Sequence, residues 1–391
     1  MKSVQHTTPY WITADRVHNG LEFYEGEVFL QIAPDGTILD ISFVSPEADV
    51  QQYQGWIVPG WVNVHCHLEL SHLKESIPRR TGLPDFLLQV ISKRNLIPES
   101  RKKEELVSSF QKAIEKGIVA FGDICNSGDT IALKAHSGLY FHSFVEALGK
   151  VPARAEQSFT SAHSVYREFS KLDGGSHQTS IVPHAPYSIS DELYQRIDDF
   201  QDESLLSIHS QESAAETDLF QVGKGDFLDF YRQIGIPSEM AAAKGRSSLA
   251  WILQQTRDTH PLILVHNTFI GLSDITAIQN RGAPTYLCLC PNANLYIEDR
   301  LPPIDLLADH SLNLCIGTDS LASNDDLCIW SELKTIRRHF PSLSWRQLIS
   351  WGSYGGARAL GISDRYGQIR KGTKPGLVRI DPGLLSATRI A

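Results

Sequence analysis

His65 and His67 stand two apart at the end of the apolar, β-prone run Pro59-Gly-Trp-Val-Asn-Val-His-Cys-His-Leu-Glu69. Side chains alternate faces along a strand, so both imidazoles project the same way. Two neutral imidazoles on one face suit a divalent transition metal. Later apolar runs end in groups able to complete such a centre: His209 in Ile-His-Ser-Gln-Glu212, and Asp319 in Gly-Thr-Asp-Ser. His65, His67, His209 and Asp319 offer three nitrogens and one carboxylate. A catalytic zinc or iron held this way keeps a position open for water and lowers that water's pKa.

Further groups fall where they can serve that water. Glu212 follows His209 by three residues and can reach the space above the metal, taking a proton from water and passing it to a leaving group. Its other reading is a carboxylate opening a helix, where it favours the dipole. His266, in Leu-Val-His-Asn, can hydrogen-bond the attacking water or the oxyanion formed on attack; a fifth ligand is its other role. His184, between Pro183 and Pro186, is expected to contact substrate. Glu69 is a substrate-recognition candidate, with a salt-bridge partner as the alternative. His72, Asp123 and Glu146 are weaker candidates, Asp123 as a support of the rim. A two-metal centre would need a bridging group, often a carboxylated lysine closing the fourth strand. The fourth run reads Thr-Ser-Ile-Val-Pro-His-Ala-Pro, without one. One metal is expected.

The elements that must position these groups recur regularly. Eight apolar runs, 57–64, 118–124, 139–147, 179–183, 205–208, 262–265, 285–289 and 312–316, are separated by stretches long enough for helices. Amphipathic spacing over 101–116, 191–200 and 326–339 supports helices there. Strands alternating with helices imply parallel pairing, and eight units predict an α/β protein with a (β/α)8 TIM barrel. Barrels of this type carry reactive groups at the C-terminal ends of strands, where the residues above all fall. Before the first barrel run, residues 9–50 alternate short strand-like runs with turns such as Pro34-Asp-Gly36. Residues 367–381 have the same character. The expected division is a small composite β-sandwich of 1–56 with 366–391, and a metal-dependent hydrolase barrel over 57–365.

The whole chain narrows the class of function. It has 391 residues, 42% of them hydrophobic, and a formal net charge of −9. That is a globular composition with ample core. The mild acidity gives no support for nucleic-acid binding. No apolar run approaches the roughly 20 residues of a membrane span, and the first residues contain no apolar secretion core. A cytoplasmic location follows as the expectation. Cys66, Cys125, Cys288, Cys290, Cys315 and Cys328 lie in apolar stretches and read as reduced, buried thiols. A homodimer is entertained as the assembly.

With these motifs in place, the chain resembles the amidohydrolase superfamily, in its mononuclear branch of chlorohydrolases and aminohydrolases acting on purine- and triazine-like rings. Pro59–His67 resembles the family's first-strand signature, His184-Ala-Pro-Tyr187 its fourth-strand motif and His209-x-x-Glu212 its fifth. His266 matches the sixth strand, and Gly317-Thr-Asp-Ser-Leu-Ala-Ser-Asn324 the eighth. The resemblance implies His65, His67, His209 and Asp319 as metal ligands, with Glu212 and His266 moving the proton and orienting water. Two departures stand out: Cys66 where threonine is common, and Pro375-Gly-Leu-Val378 where Ala-Asp-Leu-Val is usual. His65-Cys-His-Leu-Glu-Leu-Ser71 is similar to the run of aminodeoxyfutalosine deaminases of menaquinone biosynthesis. The implied reaction is hydrolytic release of ammonia from an amino-substituted purine-like ring. Guanine, adenosine-type and S-adenosylhomocysteine deaminases stay open, as do a chlorohydrolase and a cyclic amide hydrolase. A catalytically inactive barrel acting as a binding protein is the alternative of another class.

Overall fold

Strands and helices alternate through most of the chain, and the alternating strands pair in parallel. The computed structural model describes residues 7–172, 174–200, 204–381, 383 and 385–391; the opening residues 1–6, read above for a secretion core, lie outside it. Four strands precede the first repeat: β1 (Tyr10–Val17), β2 (Phe29–Ile32), β3 (Ile38–Ser42) and β4 (Val50–Pro59). The repeat itself supplies β5 (Trp61–Cys66), β6 (Ile118–Cys125), β7 (Tyr140–Ala147), β8 (His177–Pro183), β9 (Leu206–Ser210), β10 (Leu262–His266), β11 (Thr285–Leu289) and β12 (Asn313–Ile316). The chain ends with β13 (Leu377–Ile380) and β14 (Ala387–Arg389).

β5 to β8 form one four-stranded parallel sheet in chain order, and β9 to β12 form another. Every residue of β6, β7, β9, β10 and β11 is buried. Their continuous Val, Ile, Leu and Phe content is what burial on both faces requires. Helices join the strands. Glu99–Glu115 precedes β6 and buries Leu106, Phe110 and Ala113 on one stripe. Asp191–Phe200 and Ile329–His339 also fall on the expected segments. The edges of the two sheets meet through backbone hydrogen bonds. The amides of Thr318 and Asp319 both donate to His65 O at 3.0 Å, and the His209 amide donates to His184 O at 3.0 Å.

The remaining strands make a six-stranded sheet in the order β14-β13-β4-β1-β2-β3, so both ends of the chain contribute. It has its own apolar cluster, including Ile12, Val17, Leu30, Ile32, Ile38, Ile57 and Leu377. Here the expected first run is corrected. Residues 57–64 are not one strand: β4 ends at Pro59 within the six-stranded sheet, and β5 starts at Trp61. Gly60 lies between them. A Cβ there would sit 2.6 Å from both Pro375 O and the Val119 side chain, so only glycine lets the chain pass. The turn at 34–36 is as read, with the Thr37 amide donating to Asp35 Oδ1 at 3.0 Å. All six cysteines are free and buried. Among the described residues no helix is long and apolar enough to cross a membrane.

Candidate metal centre and its cavity

His65 near the end of β5 and His67 just past it face Asp319, which follows β12. Asp319 Oδ1 lies 3.5 Å from His65 Nε2 and 3.2 Å from His67 Nε2, and the two Nε2 atoms are 3.2 Å apart. The approach depends on Gly317, where a Cβ would meet His65 O at 2.8 Å and Cys288 Sγ at 2.9 Å. Asp319 itself has φ 56° and His266 φ 75°, left-handed conformations that non-glycine residues adopt at a cost of about 1–3 kcal/mol each. Both turn their side chains inward at strand ends. Ser323 Oγ donates to Asp319 Oδ2 at 2.5 Å, which fixes the carboxylate.

His65, His209, His266 and Asp319 each offer one ligand atom, and these four atoms lie within 4.8 Å of one another. His67 joins the set through His65 and Asp319. The structure thus gathers every expected ligand, and His266 with them. Second partners fix some of the rings. His209 Nδ1–H donates to His184 O at 2.8 Å, leaving Nε2 free to ligate. Asn294 Nδ2 donates to His266 Nδ1 at 3.2 Å, so the neutral ring carries its proton on Nε2. That nitrogen is buried without a hydrogen-bond partner, 3.5 Å from Glu212 Oε1.

Electrostatics agree with a ligand set. Burial pushes His65 down to about 4, and His209 and His266 down to about 3, so all three rings are neutral near pH 7. Burial also opposes charge on His67, but the Asp319 carboxylate overcomes it and raises its pKa. Asp319 is held well below the usual carboxylate range because hydrogen bonds from His65 and His67 outweigh its burial. Glu212 moves the other way. Burial, and then the negative Asp319, push it well above its ordinary value. Three imidazoles and a carboxylate with converging lone pairs fit one divalent transition metal.

The remaining candidates divide. His184 lines the cavity beside the cluster, and burial lowers its pKa to about 3. His184 Nδ1 is 2.6 Å from Ser188 Oγ, which also lies 3.1 Å from Ala185 O, so the ring is held by the turn that follows it. Glu69 stands one layer behind the cavity wall. Its Oε2 accepts from the amides of Asn126 (3.1 Å) and Ser127 (3.2 Å), and its Oε1 lies 3.5 Å from Arg94 Nη2. His72 ties Glu69 O to Arg94 O. Asp123 accepts from the Leu68 amide at 2.9 Å and pairs with buried Lys134 at 2.7 Å, bracing the turn after His67.

A cavity of about 420 Å³ opens above the cluster, lined by His67, His184, His209, Glu212 and Asp319 at its floor. Helix Leu83–Lys93 supplies Phe86, Leu87, Val90 and Ile91 to one wall, and Phe230, Ile234 and Ile236 face it. Reading the sequence missed Asn126 and Arg94, which also line it, as does Lys150 at the end of the third run. Lys150 is not a metal bridge: its Nζ donates to Pro186 O at 2.9 Å and Ile189 O at 3.1 Å. Also missed was Glu216, whose carboxylate accepts from the amides of Gln211 and Glu212 at 3.0 Å each. Its position four residues after Glu212 on a helix was the available signal.

Residues 56–390 match the amidohydrolase family. An aminodeoxyfutalosine deaminase of a Nitratiruptor species is 26% identical over 333 residues, covering 83% of this chain and 78% of that protein. Two solved structures share the fold. The Helicobacter pylori aminofutalosine deaminase in complex with methylthio-coformycin matches with a TM-score of 0.81 at 22% identity, over 95% of this chain and 92% of that one. An adenosine deaminase from Xanthomonas campestris with bound zinc matches with a TM-score of 0.74 at 22% identity, over 96% and 85%. The chain belongs to the amidohydrolase family.

Proposed function

We propose that this amidohydrolase-family chain is a metal-dependent aminohydrolase that releases ammonia from an amino-substituted purine-like ring of nucleoside or aminodeoxyfutalosine type. One observation carries the reading: Glu212 faces His266 at the rim of a cluster of buried imidazoles and Asp319. The 26% identical deaminase supports the carbon–nitrogen bond as the target. The run His65–Ser71 favours aminodeoxyfutalosine among the substrates.

In this reading His65, His67, His209 and Asp319 hold one divalent transition metal, zinc or iron. When bound, the metal acidifies a water near neutral pH. Glu212 carries a proton from that water to the ring nitrogen next to the amine-bearing carbon, which makes the carbon electrophilic. A side chain whose pKa is raised by burial suits such a shuttle. His266 Nε2–H holds the attacking oxygen in line, and Asp319 accepts a hydrogen bond from it. His184 contacts the ring. A second proton reaches the exocyclic nitrogen and ammonia departs. The apolar walls exclude competing water.

The same proposal extends to architecture. The two parallel sheets are read as one (β/α)8 barrel, supported by the backbone bonds from Thr318 and Asp319 to His65 and from His209 to His184. The six-stranded sheet is read as the small composite domain of both termini, joined to the barrel at Gly60. An ammonia-release screen over purines, nucleosides, aminodeoxyfutalosine and aminotriazines, with metal analysis of the same sample, tests the function. Turnover of a purine-type amine with one metal per chain is expected. Stoichiometric metal with no ammonia from any member would overturn it.

A further inference from the structure

Cys66 lies between His65 and His67, so strand alternation turns its thiol to the opposite face of β5. On that face Cys66 is in register with Asp123 of β6, and Asp123 with Ser143 of β7. Glu146, three residues on from Ser143, faces the cavity instead. Lys134, from the helix Ile131–Ser137, reaches the row from behind. It is 0% exposed, and its three hydrogens meet Asp123 Oδ2 at 2.7 Å, Ser143 Oγ at 2.8 Å and Cys125 Sγ at 3.1 Å. The ring centres of Phe169 and Phe141 stand 4.6 and 5.3 Å from the same nitrogen. Burial opposes the charge on Lys134, but the Asp123 carboxylate overcomes it and raises its pKa.

Asp123 keeps its other oxygen for the metal-ligand turn. Oδ1 accepts from the Leu68 amide at 2.9 Å, and the Cys66 thiol stands 3.7 Å from it. The Leu68 amide opens the 3₁₀ turn Leu68–Leu73; His67, at its N-cap, makes no side-chain cap and faces Asp319 instead. Asp123 thus satisfies, from another strand, a donor that the start of a helical turn leaves free. It meets the chain on both sides of His67. A pair that merely ties the helix to the sheet is the competing account. It does not explain why the acceptor is a buried carboxylate. Burying two ions forfeits hydration, and apolar residues of like volume often serve stability as well.

We propose that Asp123 and Lys134 are positioning residues of the metal centre: Asp123 holds the chain around His67, and Lys134 holds Asp123. This rests on the ligand role of His67 in the proposed function.

Zinc affinity and the cobalt(II) spectrum read this role without turnover, and two double variants isolate it without stranding a charge. Asp123→Asn with Lys134→Met keeps an oxygen for the Leu68 amide. Asp123→Ala with Lys134→Met removes it. Chelator competition on the zinc-loaded proteins should show the Asn form holding zinc as the unsubstituted protein does. The Ala form should hold it about 10- to 100-fold more weakly, the scale for groups that orient a ligand from behind. Its cobalt(II) form should show visible bands of altered position and intensity. Lys134→Met alone, which leaves Asp123 unpaired, should fall between, and it decides the matter if the Ala form does not fold. Melts of the metal-free proteins separate stability from affinity: a merely structural pair would lower both melts and leave the two zinc affinities alike. Equal zinc affinities in the double variants, or zinc held unchanged by Lys134→Met, would overturn the assignment. His67→Ala in the same assay separates this failure from that of the proposed function. Unchanged zinc affinity there would remove His67 as a ligand and take this proposal with it. Lost zinc there, beside equal double variants, would sink the positioning role alone.

Discussion

Glu212 Oε1 lies 3.5 Å from His266 Nε2, and both atoms look onto the space above the metal-ligand cluster. Glu212 follows β9 by two residues, His266 ends β10, and the two are 54 positions apart in sequence. One brings an acid with a raised pKa, the other an imidazole with its Nδ1 engaged by Asn294. In the proposed reading these two groups serve as the proton shuttle and the donor that holds the attacking oxygen.

Replacing Glu212 with Gln removes proton transfer but keeps the side chain's shape. Turnover should fall by roughly 10²- to 10⁴-fold, the range for a general acid–base group. The metal-to-protein ratio should not move. Ammonia release and metal analysis on one preparation check both, and near-normal turnover would refute the shuttle role.

His67 and His266 compete for one description. The four-atom cluster contains His266, while His67 is tied in through Asp319 at 3.2 Å. The proton on His266 Nε2 argues against ligation, because a metal needs that lone pair. His67→Ala should therefore lower the metal content of purified protein. His266→Ala should retain metal and lose turnover. The reverse pattern in elemental analysis would exchange their roles.

Much of this centre was legible in sequence because strand ends announce themselves. The His-x-His pair, His209, His266 and Asp319 each close an apolar run, and the parallel fold brings such ends together. What the sequence hid were contacts through turns. The register of β4 and β5 breaks at Gly60, a packing constraint from Pro375 and Val119 that no local pattern reveals. Glu69 looked like a rim group from its place beside His67, yet a 3₁₀ turn over 68–73 points it at Asn126, Ser127 and Arg94.

Glu216 positions the shuttle through its backbone. Its carboxylate caps the amides of Gln211 and Glu212, in a turn where Gln211 has φ 49°. Glu216→Ala would orphan two buried N–H groups at about 1–3 kcal/mol each. The variant should melt several degrees lower and lose turnover through displacement of Glu212. Glu216→Gln, which keeps one acceptor, should lose less of both. Thermal melts and ammonia release check this, and unchanged turnover in the Ala variant would remove the positioning role.

His18 makes stability depend on acid far from the metal centre. It is fully buried where the six-stranded sheet meets the helix Trp345–Ser350. The Gly20 amide donates to its Nδ1 at 3.0 Å, and its Nε2–H donates to Arg346 O at 3.2 Å. Both ring nitrogens are used only in the neutral form. Burial pushes the pKa down from 6.5 to about 4. Between those values the unfolded chain binds a proton that the folded chain refuses, so stability rises with pH there and is lost as pH falls from 6.5 toward 4. The shift corresponds to about 3 kcal/mol at 1.36 kcal/mol per pKa unit. His18→Gln can still accept from Gly20 and donate to Arg346, but it does not titrate. Urea melts at pH 7 and pH 4 should therefore show the unsubstituted protein losing about 3 kcal/mol more than this variant. Parallel losses in the two proteins would show that His18 is not the acid-sensitive joint.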